Sequence, residues 1–181
     1  MVTPPLDLAQ RVEALRSDFD RAFREPSALV TVETEDLLAV AIAGDAYALR
    51  VGELVALVSN RKVVALPSRR RHLLGVAGVR GAVVPVYALA GLLGYADVRA
   101  STPWLALCGR QEPVALAFEQ LEGFFRVPRA DLHAAGGEAG HHVAESVRVG
   151  SASRCVVDTR SVLAAIAIQA GAGSSGIAKD R

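Results

Sequence analysis

Apolar and polar positions alternate along the chain from about residue 37, the pattern expected of strands that turn one face to a core. The apolar positions of the first two runs are Leu38, Val40 and Ile42, then Tyr47, Leu49 and Val51. Between the runs lies Gly44-Asp45, which predicts a two-residue turn with glycine first. The segment is therefore predicted to form a β-hairpin.

A second hairpin of the same design is predicted later in the chain. A short apolar run over residues 104–108 is followed by turn residues from Gly109 to Pro113. Val114, Leu116 and Phe118 then alternate with alanines, as a half-buried strand does. The chain thus repeats one structural idea, which indicates two related halves.

The residues between the hairpins predict one more strand. Val83, Val84 and Val86 form an apolar run in which Pro85 favours a sheet edge or a bulge, since proline has no amide hydrogen for a ladder. Residues 88–93 then predict a helical turn.

After a glycine-rich loop, residues 155–157 predict a last strand. A closing helix follows with apolar residues over 162–166, and either Asp158 or Ser161 is its predicted cap. Many short strands separated by Gly and Pro favour two compact β-subdomains sharing an apolar seam over a parallel sheet.

Both ends of the chain are predicted to lie outside this β domain. Residues 1–35 predict a helical extension that Pro26 ends, and its apolar stripe packs either on the main domain or on a partner. The stripe consists of Leu8, Val12, Leu15, Phe19 and Phe23. Residues 170–181 predict a disordered tail, which leaves 36–169 as the main domain.

Composition adds limits rather than a function. Apolar residues make up 51% of the 181 residues and charged ones 22%, enough for a sizeable core without metals or disulfides. The net charge of +1 predicts no overall field for nucleic acid or anionic lipid. Cys108 and Cys155 each lie in an apolar run, as buried free thiols do, which favours a cytoplasmic protein. Neither a secretory leader nor a membrane span is predicted.

No residue set predicts catalysis, a metal site or a cofactor. The glycines at 75, 78 and 81 match neither the dinucleotide-binding nor the P-loop spacing, and turn or close-packing roles explain them better. The histidine supply is His72, His133, His141 and His142, without a CxxC pair to complete a metal site. A Ser-His-Asp set assembled in space stays open at this point.

Two local basic patches allow an alternative function. Arg61-Lys62 and Arg69–Arg71 suit phosphates, so a small-barrel regulator that binds nucleic acid is the alternative hypothesis. Interleaved aromatic residues and a net basic domain are both missing, so a solvated loop or a contact with an acidic protein is the favoured interpretation.

The segment Leu73–Leu89 resembles the central signature of CheW-like domains, the coupling proteins of bacterial chemotaxis. Gly75-Val76, Arg80-Gly81 and the run Val83–Val86 match that signature in order and spacing. The resemblance extends over roughly Leu37–Ile168. It implies a mainly β fold of two pseudo-symmetric five-stranded SH3-like barrels around a shared hydrophobic core.

The resemblance also implies a function in protein binding rather than catalysis. CheW-like proteins are adaptors whose partners are the regulatory domain of a CheA-type histidine kinase and the cytoplasmic tip of a chemoreceptor, a methyl-accepting chemotaxis protein. Leu54, Gly75, Arg80 and Gly81 match the segments implicated in these contacts. A detached regulatory module of a kinase is a further interpretation on the same fold.

Three positions depart from the usual pattern of the family. Ala56 stands where Glu is frequent, Gly78 replaces the usual Asn, and Ala88 replaces the usual Asp. These departures lead to the hypothesis of a divergent member that serves a non-standard chemosensory cluster.

Overall fold

The computed structural model describes residues 32–68, 70–96, 103–136, 141–150 and 152–172. The predicted N-terminal helix and residues 173–181 lie outside this part of the chain. The described strands are β1 (Thr34–Ile42), β2 (Asp45–Arg50), β3 (Leu54–Ser59), β4 (Val63–Val64), β5 (Leu73–Val79), β6 (Ala82–Ala88), β7 (Trp104–Cys108), β8 (Val114–Phe118), β9 (Gln120–Pro128), β10 (Leu132–Ala134), β11 (Val143–Val149) and β12 (Ala152–Val157). Two α-helices are described with them, α1 (Leu89–Leu92) and α2 (Thr159–Ala172).

The strands form two six-stranded sheets, and each half of the chain contributes one hairpin to the sheet of the other half. Sheet A has the order β10-β11-β12-β2-β1-β9, and sheet B has the order β4-β5-β6-β8-β7-β3. Read in this direction, the two orders match strand for strand. The hairpin β1-β2 lies between β12 and β9, and the hairpin β7-β8 lies between β6 and β3. Each half of the chain therefore completes the sheet of the other, and the prediction of a repeated hairpin is confirmed.

The sheets confirm a mainly β protein with few helices, but the strand count differs from the prediction. Each sheet has six strands instead of five, because β4 and β10 add short edge strands of two and three residues. Over the described residues, sheet B ends at β3 and β4, which do not pair with each other, so this sheet is not closed.

Three apolar clusters hold the sheets together, and alternation along β7 explains how. Leu105 and Leu107 belong to a cluster on one face of sheet B. Trp104, Ala106 and Cys108 point the other way, into a cluster that also contains residues of sheet A. A third cluster, around Leu37, Val147 and Val156, belongs to sheet A alone. Because both faces of β7 are buried, its sequence has no polar position, and the predicted apolar seam is confirmed as the shared cluster.

The turn of the first hairpin differs from the prediction by one residue. Ile42 pairs with Asp45, so the two turn residues are Ala43 and Gly44. Their φ angles of 54° and 91° are both positive, which is the type I′ geometry that suits the twist of a hairpin. Asp45 instead begins β2, and its carboxylate accepts a 2.5 Å hydrogen bond from the Tyr95 hydroxyl.

Pro85 lies within β6 at a place where the strand is paired on one side. β6 pairs with β5 along its length, but its parallel pairing with β8 covers only Val86–Ala88. On the β8 side Pro85 is therefore at an edge, as predicted, because no ladder bond is required there.

The structure decides between the two residues that were predicted as the cap of helix α2, Asp158 and Ser161. The Asp158 Oδ1 atom accepts a 3.0 Å hydrogen bond from the Ser161 amide, so Asp158 is the cap. The adjacent Thr159 is buried, and its hydroxyl donates to the Glu53 carboxylate. The helix continues to Ala172, which is beyond residue 170, where the tail was predicted to begin. No described helix has the length and apolar character needed to cross a membrane.

Two histidines occupy equivalent places in the two halves. His72 precedes β5 and His142 precedes β11, and both have a φ of 63°. Their carbonyl oxygens accept equivalent 2.8 Å hydrogen bonds, from the Ala88 and Asp158 amides respectively. Burial lowers the pKa of each imidazole below the ordinary 6.5; Arg71 adds to this effect at His72, and His141 adds to it at His142, where Asp158 opposes it.

These histidines predict that the fold is less stable in mild acid. Well above pH 6.5 both imidazoles are neutral in the folded and unfolded chains, so they contribute no slope there. As pH falls from 6.5 towards the lowered folded pKa, the unfolded chain binds more protons and the free energy of unfolding falls. The melting temperature is expected to decrease from pH 7.5 to pH 5.5.

The double variant His72→Asn, His142→Asn should flatten this dependence of the melting temperature on pH. Asn is chosen because it tolerates the positive φ of both positions. The exposed His133→Asn serves as control, and an unchanged slope in the double variant would contradict the assignment.

Candidate protein-binding site

An apolar groove opens between the edge of sheet B and the face of sheet A. Its volume is about 280 Å³, and Leu54 at the start of β3 forms part of its wall. The complete lining is Leu38, Val51, Leu54, Val55, Ala56, Leu57 and Phe124. Several of these residues also pack against the shared cluster. Among the described residues, the groove is therefore a place where the shared core reaches the surface.

Phe124 is the most exposed apolar side chain of this groove, at 58%. It lies on β9 directly opposite Leu38 of β1, so its ring is on the face of sheet A that turns towards the shared core. A large exposed ring beside other apolar side chains is typical of a contact surface for another protein. The sequence interpretation missed Phe124. The sequence contains a signal for its exposure. Gln120, Glu122 and Arg126 are polar at every second position of β9, and Phe124 occupies the remaining exposed position of that alternation.

Arg80 and Gly81 form the tip of the β5-β6 hairpin. Their φ angles of 50° and 83° make a second type I′ turn, since Val79 pairs with Ala82. Arg80 is exposed, and no described residue forms an ion pair with it. Val83 is 74% exposed beside this tip, so a free guanidinium and an apolar side chain are presented together. Val83 is a second surface residue that sequence reasoning had assigned only to a strand.

Gly75 has a structural position instead of a surface one. It is buried at a bulge of β5, where its φ is 145°. A Cβ atom added there would lie 2.0 Å from the Val64 carbonyl oxygen of β4. The close approach of two strands requires glycine at this place. A partner contact at Gly75 stays a prediction.

The four residues predicted to bind partners lie in two separate places. Leu54 begins β3, at one end of sheet B, whereas the turn Arg80-Gly81 joins β5 to β6 near the other end. The departures from the family pattern are spread as well. Ala56 lines the groove and Gly78 is exposed opposite Val83, while Ala88 is buried. The predicted residues therefore lie at a groove and at a hairpin tip, and their contacts with partners stay a prediction.

The basic patches lie at the surface near the β4 edge. Arg61 and Lys62 precede β4 and are exposed, as are Arg70 and Arg71 before β5. Arg69 lies outside the described residues. Within the described part of these segments the large exposed apolar side chains are Val64 and Leu66, which are aliphatic and give no surface for base stacking.

A Ser-His-Asp set does come together, but with the geometry of a helix cap. The His142 Nδ1 atom lies 2.7 Å from the Ser161 Oγ atom. The Asp158 carboxylate, which would orient the imidazole in a catalytic triad, accepts a hydrogen bond from the Ser161 amide instead. Burial raises the pKa of Cys108 to about 12, which keeps this thiol protonated and unreactive. Among the described residues, no group of three or more His, Cys, Asp or Glu side chains is arranged to hold a metal.

The fold and its surfaces define a class of protein: two β-sheets that share a core and leave an apolar groove at the surface. The family model of the CheW-like domain matches residues 36–167. This protein therefore belongs to the CheW-like domain family, as the signature in β5 and β6 had indicated.

A solved structure supports the fold. The crystal structure of the scaffolding protein TtCheW from Thermoanaerobacter tengcongensis is similar to this chain with a TM-score of 0.62 and 11% sequence identity. The similarity covers 69% of this chain and 89% of that chain. At such low identity it concerns the fold alone. A search of the curated proteins found no match.

Proposed function

We propose that this protein is a chemotaxis adaptor, a scaffold without turnover that couples chemoreceptors to a CheA-type histidine kinase. Membership of the CheW-like domain family supports the general function. The observation that carries the proposal for this chain is the apolar groove at the open end of the shared core. A surface of this kind gains binding energy by covering apolar side chains, and it needs no reactive group.

The groove is the proposed site for the chemoreceptor tip. A helical hairpin buries an apolar stripe when it lies in an apolar groove, with residues one turn apart as anchors. Phe124 and Val55 are both exposed at the groove and are suited to contact such a stripe. Ala56 leaves the wall without the carboxylate that is frequent in the family, so the partner's stripe is expected to be more apolar here.

The hairpin tip is the proposed site for the regulatory domain of the kinase. Arg80 supplies a guanidinium that can bind a carboxylate of the partner through two parallel hydrogen bonds. Val83 supplies apolar area next to it. Gly81 keeps the turn in its conformation, so its contribution is to the position of Arg80.

The proposal extends to organisation and location. Each sheet with its own apolar cluster corresponds to one SH3-like barrel of the family fold, within a domain of residues 36–169. A helical extension before β1 and a tail after helix α2 flank this domain. The location is the cytoplasm, where the free thiols Cys108 and Cys155 stay reduced.

Calorimetric titration tests both surfaces separately. Phe124→Glu should weaken binding of a receptor-tip fragment by about tenfold or more, because a carboxylate would be desolvated at the contact. Arg80→Asn should weaken binding of the kinase regulatory domain similarly, since Asn keeps the positive φ but removes the guanidinium. Each variant should leave the other partner's affinity nearly unchanged.

Ile168→Glu provides the matched control, because Ile168 is 74% exposed on α2 and takes part in neither surface. It should bind both partners like the parent protein. Normal binding by Phe124→Glu and Arg80→Asn would contradict the assignment of the two surfaces. Absence of binding by the parent protein at tens of micromolar, a high concentration for a transient signalling contact, would contradict the adaptor function itself.

A further inference from the structure

The near-neutral net charge conceals a separation of charge between the two sheets. Residues 54–96, which supply β3 to β6 of sheet B, contain no Asp or Glu. The same stretch contains six basic residues, Arg61, Lys62, Arg69, Arg70, Arg71 and Arg80. β7 and β8, which complete sheet B, contain no charged residue at all.

Sheet A differs, because three of its four strand cations are paired with carboxylates of the same sheet, and only Arg148 of β11 has no such pair among the described residues. The ion pairs of its strands are Arg50 with Glu145 and Glu35, Arg126 with Asp36, and Arg154 with Glu122. No ion pair involves a described cation of sheet B or its loops. Positive charge therefore remains uncompensated on one side of the domain.

Four of these cations surround a partly apolar surface at the edge strand β4. Arg61 and Lys62 directly precede β4, and Arg70 and Arg71 follow it. Val64 and Leu66 lie between the two basic pairs and are 51% and 47% exposed. β4 is the last strand of sheet B and pairs only with β5 among the described residues. We call this surface, residues 61–66 with 70 and 71, the basic edge.

We propose that the basic edge is a third interaction surface, which binds an acidic protein segment that also carries apolar side chains. The two basic pairs attract carboxylates, and Val64 with Leu66 covers the apolar side chains between them. The open edge of β4 offers backbone groups to an extended segment. The basic edge shares no residue with the groove or with the tip at Arg80, so this inference does not depend on the proposed receptor and kinase contacts.

The surroundings of the cations favour a protein over the other polyanions. Nucleic acid without base pairing is held by aromatic side chains that stack on bases, and the basic edge presents aliphatic ones. Surface association with a membrane uses an amphipathic helix that inserts a long apolar face, whereas two half-exposed side chains give little area to insert. Both alternatives become outcomes of the test.

Fluorescence anisotropy with defined probes tests the proposal on the full chain. The probe is a labelled twelve-residue peptide of alternating Glu and Leu, and its comparison is the matching Glu and Ser peptide. The Glu-Leu peptide should bind about tenfold more tightly than the Glu-Ser peptide, and added salt should weaken it. Arg61→Glu with Lys62→Glu should weaken it by about tenfold or more, and Leu66→Ser should remove most of the preference for Leu.

Arg129→Glu with Arg148→Glu is the matched control, because it makes the same change of net charge at exposed cations elsewhere. Its affinity should stay within about twofold of the parent protein. Equal losses in the two double variants would overturn the proposal, since net charge would then explain the binding. Equal affinity for both peptides would overturn it as well. So would tighter binding of a single-stranded oligonucleotide or of phosphatidylserine vesicles than of the Glu-Leu peptide.

Discussion

Gly75→Ala is expected to lower the free energy of unfolding by about 3–5 kcal/mol, a large part of the stability of a domain of this size. The added Cβ would lie 2.0 Å from the Val64 carbonyl oxygen and 2.7 Å from the Val64 carbonyl carbon. Both atoms belong to the backbone of a strand that pairs with β5, so they cannot move aside as a flexible side chain does. The φ of 145° adds a conformational cost that only glycine avoids.

Gly78→Ala gives the control within the same strand. Gly78 is exposed, and a Cβ built there meets nothing within 4 Å. Its replacement should change the stability by less than about 1 kcal/mol, and a small increase is expected because alanine restricts the unfolded chain. Urea denaturation of both variants gives the comparison. Equal stabilities would show that β4 moves away from β5 freely, against the close contact described above.

The same contrast explains why a motif alone could not assign roles at the candidate site. Gly75, Gly78 and Gly81 recur every three residues in the signature, and close-packing or turn roles were predicted for all of them. Gly75 does meet a neighbouring backbone, and Gly81 does have positive φ in a turn, whereas Gly78 has neither feature. Spacing in a sequence does not report how near another strand comes, so only the structure separates these three.

Strands could be predicted where burial leaves a regular pattern. β7 and β8 were predicted correctly, since an apolar run and an alternating run frame a segment with Gly and Pro. The first turn was predicted one residue too late in the chain. Ala43 adopts a positive φ there, and alanine has no side-chain feature that favours this conformation. Asp45 resembles a turn residue, but it is engaged by Tyr95 from far along the chain.

Long-range order was the part that the sequence could not supply. Alternation identifies the two hairpins, but it contains no information on which sheet each one enters. The groove depends on that exchange, because Phe124 of β9 and Leu54 of β3 approach each other only when the two sheets share a core. The basic edge, by contrast, was open to prediction. A count of acidic residues by segment finds none over 54–96. The whole-chain charge of +1 does not indicate this local excess of basic residues.

Because the two halves exchange hairpins, neither half of the chain is expected to fold alone. This loss of folding is the largest effect on stability expected of any change to this protein. A fragment of residues 1–98 contains β1 to β6 without β7 and β8. β3 then has lost its neighbour β7, and β6 has lost β8, so β3 is detached from the β4-β5-β6 sheet. The hairpin β1-β2 is left with neither β9 nor β12, and an isolated hairpin is marginal in water. In the fragment of residues 99–181, β9 lacks its neighbour β1 and β12 lacks β2. The hairpin β7-β8 is left with neither β3 nor β6.

Each fragment alone is therefore expected to lack a cooperative thermal transition, and an equimolar mixture is expected to regain one. Circular dichroism measures the transition, and analytical ultracentrifugation should find a complex of one copy of each fragment. Leu116→Asp in the second fragment is the control that should prevent assembly, because Leu116 is fully buried in the shared cluster and an unpaired carboxylate there is costly. If either fragment unfolds cooperatively alone, its strands close a core without the other half. The shared cluster would then be an interface between two independent domains, and the groove at its open end would depend on how those domains dock.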